Sequence, residues 1–131
     1  MKAYLAIKYH EDLKNRELID HISRSLREAG FKDTVSIRDH ERWGATRLTP
    51  QKLMETAFRD IAESDTLIVE FSEKGVGLGI EIGYAYAKGI PIIVIAKRGS
   101  EISSTLQGIA RETFFYDRPE ELTEKLKKLK L

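Results

Sequence analysis

The chain has 131 residues, of which 41% are hydrophobic, and we expect one domain over residues 1–131 with a single core. Because 22 Lys and Arg nearly balance 21 Asp and Glu, the charge gives no reason to expect a nucleic-acid or anionic-membrane partner. No apolar run approaches the ~20 residues of a membrane span. The N-terminus is charged too early for a signal peptide, which predicts a cytoplasmic location. The absence of cysteine excludes disulfides, thiol catalysis and cysteine-ligated zinc.

Strand and helix periodicities alternate along the first half of the chain. Residues 3–9 are predicted to form a strand, residues 13–29 an amphipathic helix that ends at Gly30, and residues 34–38 a second strand. A polar loop follows, and Pro50 begins the next helix. The apolar stripe of that helix consists of Leu53, Met54, Ala57, Phe58, Ile61 and Ala62.

The second half of the chain continues the alternation. Residues 66–71, 90–96 and 113–116 are predicted strands, and they are separated by a helix over 79–88 and a short helical stretch over 103–110. A last helix begins at Arg118. Alternation of this kind predicts an α/β fold with a doubly wound, five-stranded parallel sheet. In the flavodoxin/Rossmann-like order 2-1-3-4-5, the topological switch point lies between the first and third strands.

A glycine-rich segment, GVGLG at residues 75–79, joins the third strand to the helix that carries Glu81. Ligands of such sheets bind beyond the carboxyl ends of the strands, so this segment is predicted to border a cleft. Gly75, Gly77 and Gly79 would let backbone amides approach a ligand closely. The alternative for Glu81 is a favourable contact with the helix dipole in the first turn, worth about 0.3 to 1 kcal/mol. A dinucleotide fingerprint is not favoured, because the glycines follow the third strand and no acid ends the next one.

Other candidates follow from position in the sheet. Glu70 lies at the carboxyl end of the third strand, so a carboxylate pair with Glu81 is one expectation. Asp65 lies at the opposite end of that strand, about 20 Å away, and is a poor candidate. Tyr4 lies in the first strand, where an aromatic residue is usually part of the core. The three histidines show no metal-ligand spacing, and neither a metal nor another cofactor is expected.

The run GVGLGIEIGYAYAKGIPIIVIAK, residues 75–97, resembles the corresponding segment of the nucleoside 2-deoxyribosyltransferases and of their relatives, the 2'-deoxynucleoside 5'-phosphate N-hydrolases. In these enzymes a glutamate attacks the anomeric carbon and releases the nucleobase. The resemblance assigns that role to Glu81. It implies hydrolysis or transfer at the N-glycosidic bond of a (deoxy)nucleoside or its 5'-monophosphate. It also implies a homodimer or a larger homo-oligomer.

The same resemblance suggests roles for further residues. Tyr4, in a Tyr-Leu-Ala strand, matches a tyrosine whose hydroxyl contacts the catalytic glutamate. Ser103 matches a serine that binds the 5'-phosphate, with a helix N-cap as an equally weighted alternative. Asp39 lies where the family borders the nucleobase, so it is a candidate contact to base or sugar. Lys8 or His10 could meet an anionic group, and Gly75 replaces a phosphate-binding serine or a sugar-binding aspartate.

One departure from the family pattern concerns its catalytic aspartate. Eight residues before Asp65, where the family has that aspartate, this chain has Ala57 on the buried stripe of its helix. No ionised group is expected there. Either Glu70 or Asp39 takes over the proton transfer, or the chain has lost part of the chemistry. The alternative function is therefore a non-catalytic module that binds a nucleotide in the same cleft.

Overall fold

Five parallel strands form one sheet in the order β2-β1-β3-β4-β5 in the computed structural model, which describes residues 1–131. This order confirms the predicted doubly wound topology, with the switch point between β1 and β3. The strands are β1 Lys2–Ile7, β2 Lys32–Thr34, β3 Thr66–Glu70, β4 Ile92–Lys97 and β5 Glu112–Tyr116. The α-helices are α1 Arg16–Glu28, α2 Ser36–Asp39, α3 Pro50–Ala62, α4 Val76–Ala87, α5 Ser104–Gln107 and α6 Leu122–Lys127. Single 3₁₀ turns cover Arg42–Gly44 and Pro119–Glu121.

The core lies on both faces of the sheet, because β3 is buried along its whole length and β4 is buried up to Ala96, with helices on either side. On one face, Leu5, Ile68 and Ile93 pack against α1 and α6. On the other face, residues one position away along the same strands pack against α3, α4 and α5. Successive strand side chains point to opposite faces, so each strand supplies both layers. No helix combines the length and the apolar character needed to cross a bilayer.

The second strand was predicted two residues too late. β2 ends at Thr34, and Ser36–Asp39 forms the single-turn helix α2 instead of a strand end. The backbone amide of Val35 donates to the Asp39 carboxylate at 2.9 Å, and the amide of His40 donates to the Ser36 carbonyl at 3.0 Å. Local hydrogen bonding by an aspartate competes with the strand ladder, and here it closes a helical turn.

The helix that carries Glu81 begins earlier than predicted. α4 starts at Val76, with Gly75 as an extended N-cap residue, and the Gly79 amide donates to the Gly75 carbonyl at 3.3 Å. Glu81 therefore lies in the second turn, and the first turn has no acidic residue. We predicted a later start because glycine is a poor helix former, costing about 1 kcal/mol relative to alanine. That prediction was wrong. Burial of Leu78 against the sheet accounts for the earlier start.

Candidate functional site at the switch point

A cavity of about 340 Å³ opens at the carboxyl end of β1, at the predicted switch point. Its walls come from β1 and the loop after it, from α2 and α3, and from the first two turns of α4. Most of the lining side chains are apolar. The lining also includes the polar side chains of Tyr4, Lys8, Ser36 and Glu81, together with the small residues Ala57, Gly75 and Gly77. An apolar cleft with a few converging polar groups is the usual form of a small-molecule site.

Glu81 presents a desolvated carboxyl group to this cavity. Its Oε2 is buried and has no hydrogen-bond partner. Burial raises the pKa of Glu81 to about 7, while the neighbouring Tyr4 hydroxyl acts in the opposite direction. A helix-dipole role no longer accounts for this glutamate, because the dipole effect falls off beyond the first turn. An unpaired acid with a strongly shifted pKa in a cleft is typical of a reactive group.

Tyr4 lies beside Glu81 and joins the cavity wall to α2. Its hydroxyl and the Ser36 Oγ are 2.7 Å apart. Burial raises the pKa of Tyr4 well above its ordinary value, and the charge of Glu81 raises it further. The phenol is therefore neutral at physiological pH and can donate one hydrogen bond. Ser36 was missed by the sequence reasoning, because residues 34–38 were predicted as a strand.

Lys8 and Gly75 lie together where α4 begins. A Cβ atom on Gly75 would lie 3.3 Å from Lys8 Cδ and 3.6 Å from Lys8 Nζ, so the glycine leaves room for the lysine side chain. The Lys8 ammonium takes part in no ion pair. The first backbone amides of a helix have no partner within it, and Gly77, in the first turn of α4, lines the cavity. This corner of the cavity is electropositive.

Ala57 lines the cavity and is 2% exposed, so its wall carries no acid at that point. One turn further along α3, the Asp60 carboxylate is hydrogen-bonded to His40 Nε2. The charge of Asp60 adds to the effects of burial and Glu81 that raise the pKa of Tyr4. The sequence reasoning assigned no role to Asp60 or His40. The two residues are twenty positions apart, and only the placement of α2 against α3 brings them together.

The predicted pair of Glu70 and Glu81 does not form. The Glu70 carboxylate accepts hydrogen bonds from the Ser72 amide at 2.7 Å, the Ser72 hydroxyl at 2.8 Å and the Tyr116 hydroxyl. Tyr116 packs in the layer of α1 and α6, whereas Glu81 belongs to α4 on the other face. Side chains alternate along β3, so being at the correct end of the strand did not place Glu70 on the correct face.

Asp39 also lies outside the cavity walls. Its carboxylate accepts hydrogen bonds from the Val35 amide and from Arg38 Nε and Nη2, each at 2.9 Å. Burial works against the ionised form, but these hydrogen bonds hold the pKa of Asp39 below its ordinary value. The Asp39 carboxylate is therefore bonded to Arg38 and does not line the cavity.

Two further candidates have structural roles within the chain. Ser103 is the N-cap of α5, where its hydroxyl accepts a hydrogen bond from the Leu106 amide at 3.4 Å. Gly79 lies inside α4, where its amide is bonded to Gly75. Neither residue lines the cavity. No group of three His, Asp or Glu side chains is arranged to hold a metal ion.

The family model for nucleoside 2-deoxyribosyltransferases matches residues 3–121. A protein of Thermofilum pendens, provisionally assigned as a 2'-deoxynucleoside 5'-phosphate N-hydrolase, is 30% identical over 132 aligned residues, covering 96% of this chain and 92% of its own. The Clostridium botulinum CMP N-glycosidase BcmB has a similar structure, with a TM-score of 0.71, 21% identity and coverage of 96% and 97%. The 2-deoxyribosyltransferase of Bacillus psychrosaccharolyticus also has a TM-score of 0.71, with 17% identity and coverage of 100% and 93%.

A doubly wound sheet with an apolar cavity at its switch point is the architecture of an α/β protein that binds a small molecule. The match over residues 3–121 shows that the chain belongs to the nucleoside 2-deoxyribosyltransferase family. The two solved structures support the fold, and the family match supports a nucleoside or nucleotide as the small molecule.

Proposed function

We propose that this enzyme cleaves the N-glycosidic bond of a (deoxy)nucleoside or its 5'-monophosphate, with Glu81 as the nucleophile. The observation that carries the proposal is the Glu81 side chain, which lines the cavity and whose Oε2 is buried without a hydrogen-bond partner. A carboxylate held without solvation costs folding free energy and needs a compensating use. Family membership supports chemistry at the anomeric carbon as that use.

In the proposed reaction, an oxygen of the Glu81 carboxylate forms a bond to C1' while the bond from C1' to the base nitrogen breaks. The electron pair of that bond leaves with the base, which takes up a proton from a group in the cavity or from water. The product is a glycosyl ester of Glu81. Attack by water completes hydrolysis, and attack by a second base completes transfer. Retaining glycosidases use a carboxylate in the same way. The neutral Tyr4 hydroxyl would hold the attacking carboxyl in position.

The electropositive corner at Lys8 supports a preference for monophosphates over free nucleosides. Lys8 Nζ, the space above Gly75 and the free amides around Gly77 would receive the phosphate together. The Thermofilum pendens relative is assigned to 2'-deoxynucleoside 5'-phosphates, and this points in the same direction. Ser103 lies outside the cavity of its own chain, so we propose that it meets a phosphate only from a second subunit.

A homodimer is proposed from the outer face of α4. Val76 is 82% exposed, Tyr86 58% and Ile80 48%, which is unusual for large apolar side chains. The opposite side of the helix is buried in the core, so the helix is apolar all round. A helix of this kind is normally covered on every side. A second copy of the chain, packed on this face, would cover it.

Incubation with a panel of nucleosides and 5'-monophosphates, followed by chromatography for free base, tests the proposal. The wild type is expected to release base, and Glu81→Gln is expected to lose this activity by orders of magnitude while it keeps the fold and ligand binding. Equal release by the variant would contradict the mechanism. The second candidate is a nucleotide-binding module, favoured by Ala57 in place of an acid. Saturable binding without base release from any substrate would establish that alternative.

A further inference from the structure

We propose that Asp60 and His40 are positioning residues for the reaction at Glu81. They fix the single-turn helix α2 against α3, so that Ser36 stays within hydrogen-bond distance of Tyr4 and the Tyr4 hydroxyl keeps its orientation towards Glu81. The inference rests on the proposed function, because it concerns the geometry of the same site. Neither of the two residues lines the cavity.

The contact between the two residues joins the end of α2 to the last turns of α3. His40 Nε2 is bonded to Asp60 Oδ2, and the side chains are only 23% and 14% exposed. The other carboxylate oxygen of Asp60 lies 3.8 Å from Arg59 Nε, on a side chain that is 55% exposed. The Asp60 carbonyl accepts a hydrogen bond from the Ser64 hydroxyl at 2.7 Å, so its own position on α3 is fixed.

α2 is too short to be stable alone. Arg38 ties it to Asp33 and Ser23, and the contact between His40 and Asp60 ties it to α3. α2 has four residues, and its N-cap residue, Val35, supplies no side-chain hydrogen bond. Isolated helices of this length do not form in water. The amides of His40 and Glu41 donate to the Ser36 carbonyl at 3.0 and 3.1 Å, so the backbone of Ser36 is tied directly to that of His40. A contact that holds His40 therefore holds Ser36.

Ser36 transmits this anchoring to the reacting groups. Its Oγ lies 2.7 Å from the Tyr4 hydroxyl. When the serine hydroxyl donates this hydrogen bond, the phenolic proton of Tyr4 is free to point at the Glu81 carboxyl. When α2 is loose, the phenol can turn its proton elsewhere. Asp60 lies one turn after Ala57 on α3. In this proposal it acts on the site only indirectly, through His40 and Ser36.

The first test compares Asp60 variants by steady-state kinetics. Asp60→Ala is expected to lower kcat roughly tenfold with KM nearly unchanged, because one net hydrogen bond is worth up to about that factor and the cavity wall is intact. Asp60→Asn keeps an acceptor for a protonated His40 Nε2 and should retain most of kcat. Arg59→Ala is the matched control, since it removes the other neighbour of Asp60, and it should behave as wild type. Loss of kcat in Arg59→Ala, or equal loss in Asp60→Asn and Asp60→Ala, would overturn the proposal.

A double-mutant cycle distinguishes positioning from loss of stability. If Asp60 acts through Ser36, then Asp60→Ala combined with Ser36→Ala should be no slower than Ser36→Ala alone. Independent structural damage would instead multiply the two factors, and that result would overturn the proposal. If Asp60→Ala does not fold, His40→Gln takes its place in the cycle with the same two outcomes.

A binding-independent readout keeps this inference separate from the proposed function. Carboxyl NMR of the wild type and of Asp60→Ala would follow the pKa of Glu81 without any substrate. If the Tyr4 hydroxyl no longer donates a hydrogen bond to Glu81, the pKa of Glu81 rises. Removal of the Asp60 negative charge alone would lower that pKa. A rise supports positioning even if no nucleotide is cleaved, and a fall or no change rejects it. Absence of base release from wild type with every substrate would reject only the proposed function.

Discussion

Tyr4 lies on β1 and Glu81 on α4, which packs against the same face of the sheet, and each residue changes the ionisation of the other. Burial raises the pKa of both groups. On top of burial, the charge of Glu81 raises the pKa of Tyr4, and the Tyr4 hydroxyl lowers that of Glu81. The pair therefore favours a neutral phenol beside an ionised carboxylate, which is the state a carboxylate nucleophile requires.

The first prediction concerns the pH dependence of base release. The pKa of Glu81 is raised to about 7, so the reactive carboxylate forms as the pH rises through that value. We expect kcat/KM to increase across this range, since it reports the ionisation of the free enzyme. Tyr4→Phe removes the hydroxyl that stabilises the carboxylate and should move the midpoint upward. A rate that stays flat from about pH 5 to about pH 9, in both proteins, would contradict Glu81 as the nucleophile.

The second prediction concerns stability. The folded-state pKa of Glu81 is about 7, above the ordinary value of 4.5, so the folded state binds this proton more tightly than the unfolded state does. Stability is therefore lost as the pH rises from about 4.5 to about 7, and the penalty is complete above that range. A pKa difference of one corresponds to about 1.4 kcal/mol, so the ionised Glu81 lowers the free energy of unfolding by on the order of 3 kcal/mol.

Glu81→Gln removes that penalty. Urea unfolding should show the variant to be more stable than wild type near pH 8 and little changed near pH 4, where both states are protonated. Glu55→Gln, at an exposed position on α3, is the control and should change stability little at either pH. A variant as stable as wild type at the higher pH would show that the Glu81 carboxylate is well solvated in the native state.

The third prediction tests whether the electropositive corner at Lys8 binds the 5'-phosphate. Lys8→Met should raise the KM for a 5'-monophosphate by roughly ten- to a hundredfold, because hydrogen bonds to charged groups contribute about 1.5 to 3 kcal/mol. The KM for the matching free nucleoside should change little. Lys14→Met, at an exposed lysine in the same connection between β1 and α1, serves as the control for charge alone. Equal changes for both substrates would place the phosphate elsewhere.

The fourth prediction follows from Ala57. With no acid on that wall, turnover should be slow and should increase for substrates whose base leaves easily, since general acid catalysis typically contributes about 10²–10⁴-fold. Glu70→Gln and Asp39→Asn should leave this dependence unchanged, because neither carboxylate reaches the cavity. Rates for a series of bases of graded leaving ability provide the measurement. A selective loss for poor leaving groups in either variant would identify a replacement acid that the present arrangement does not show.

The fifth prediction concerns self-association. The wild type is expected to sediment as a dimer. Ile80→Glu is expected to sediment as a monomer, because a charge at the outer face of α4 should disrupt a dimer formed there. Leu131→Glu introduces the same charge at another exposed apolar residue, 39% accessible, and should keep the wild-type state. A wild type that is monomeric at all accessible concentrations would exclude this interface.

The sequence predicted the doubly wound sheet because strand and helix patterns alternate along the chain, and it predicted the cleft because a glycine-rich segment follows β3. It also placed Tyr4, Lys8, Gly75, Gly77 and Glu81 on one cavity. Glu70, Asp39, Gly79 and Ser103, which were also predicted for the site, do not line the cavity. Position along a strand does not fix the face, and a local carboxylate bond can replace a strand by a helix. Ser36, His40 and Asp60 came together only through packing of α2 on α3, for which no local pattern exists.

The glycines inside α4 have a consequence for engineering. A Cβ atom added at Gly79 or Gly83 would meet nothing within 4 Å, so the isolated chain gives no steric reason for glycine at either position. Replacement of a helical glycine by alanine ordinarily stabilises a protein by about 0.4 to 1 kcal/mol. The pair Gly79→Ala and Gly83→Ala therefore measures what lies outside the chain. A gain in melting temperature would mean that these turns of α4 face solvent. A loss of activity or assembly would mean that a substrate or a second subunit packs so closely on α4 that it leaves no room for a methyl group.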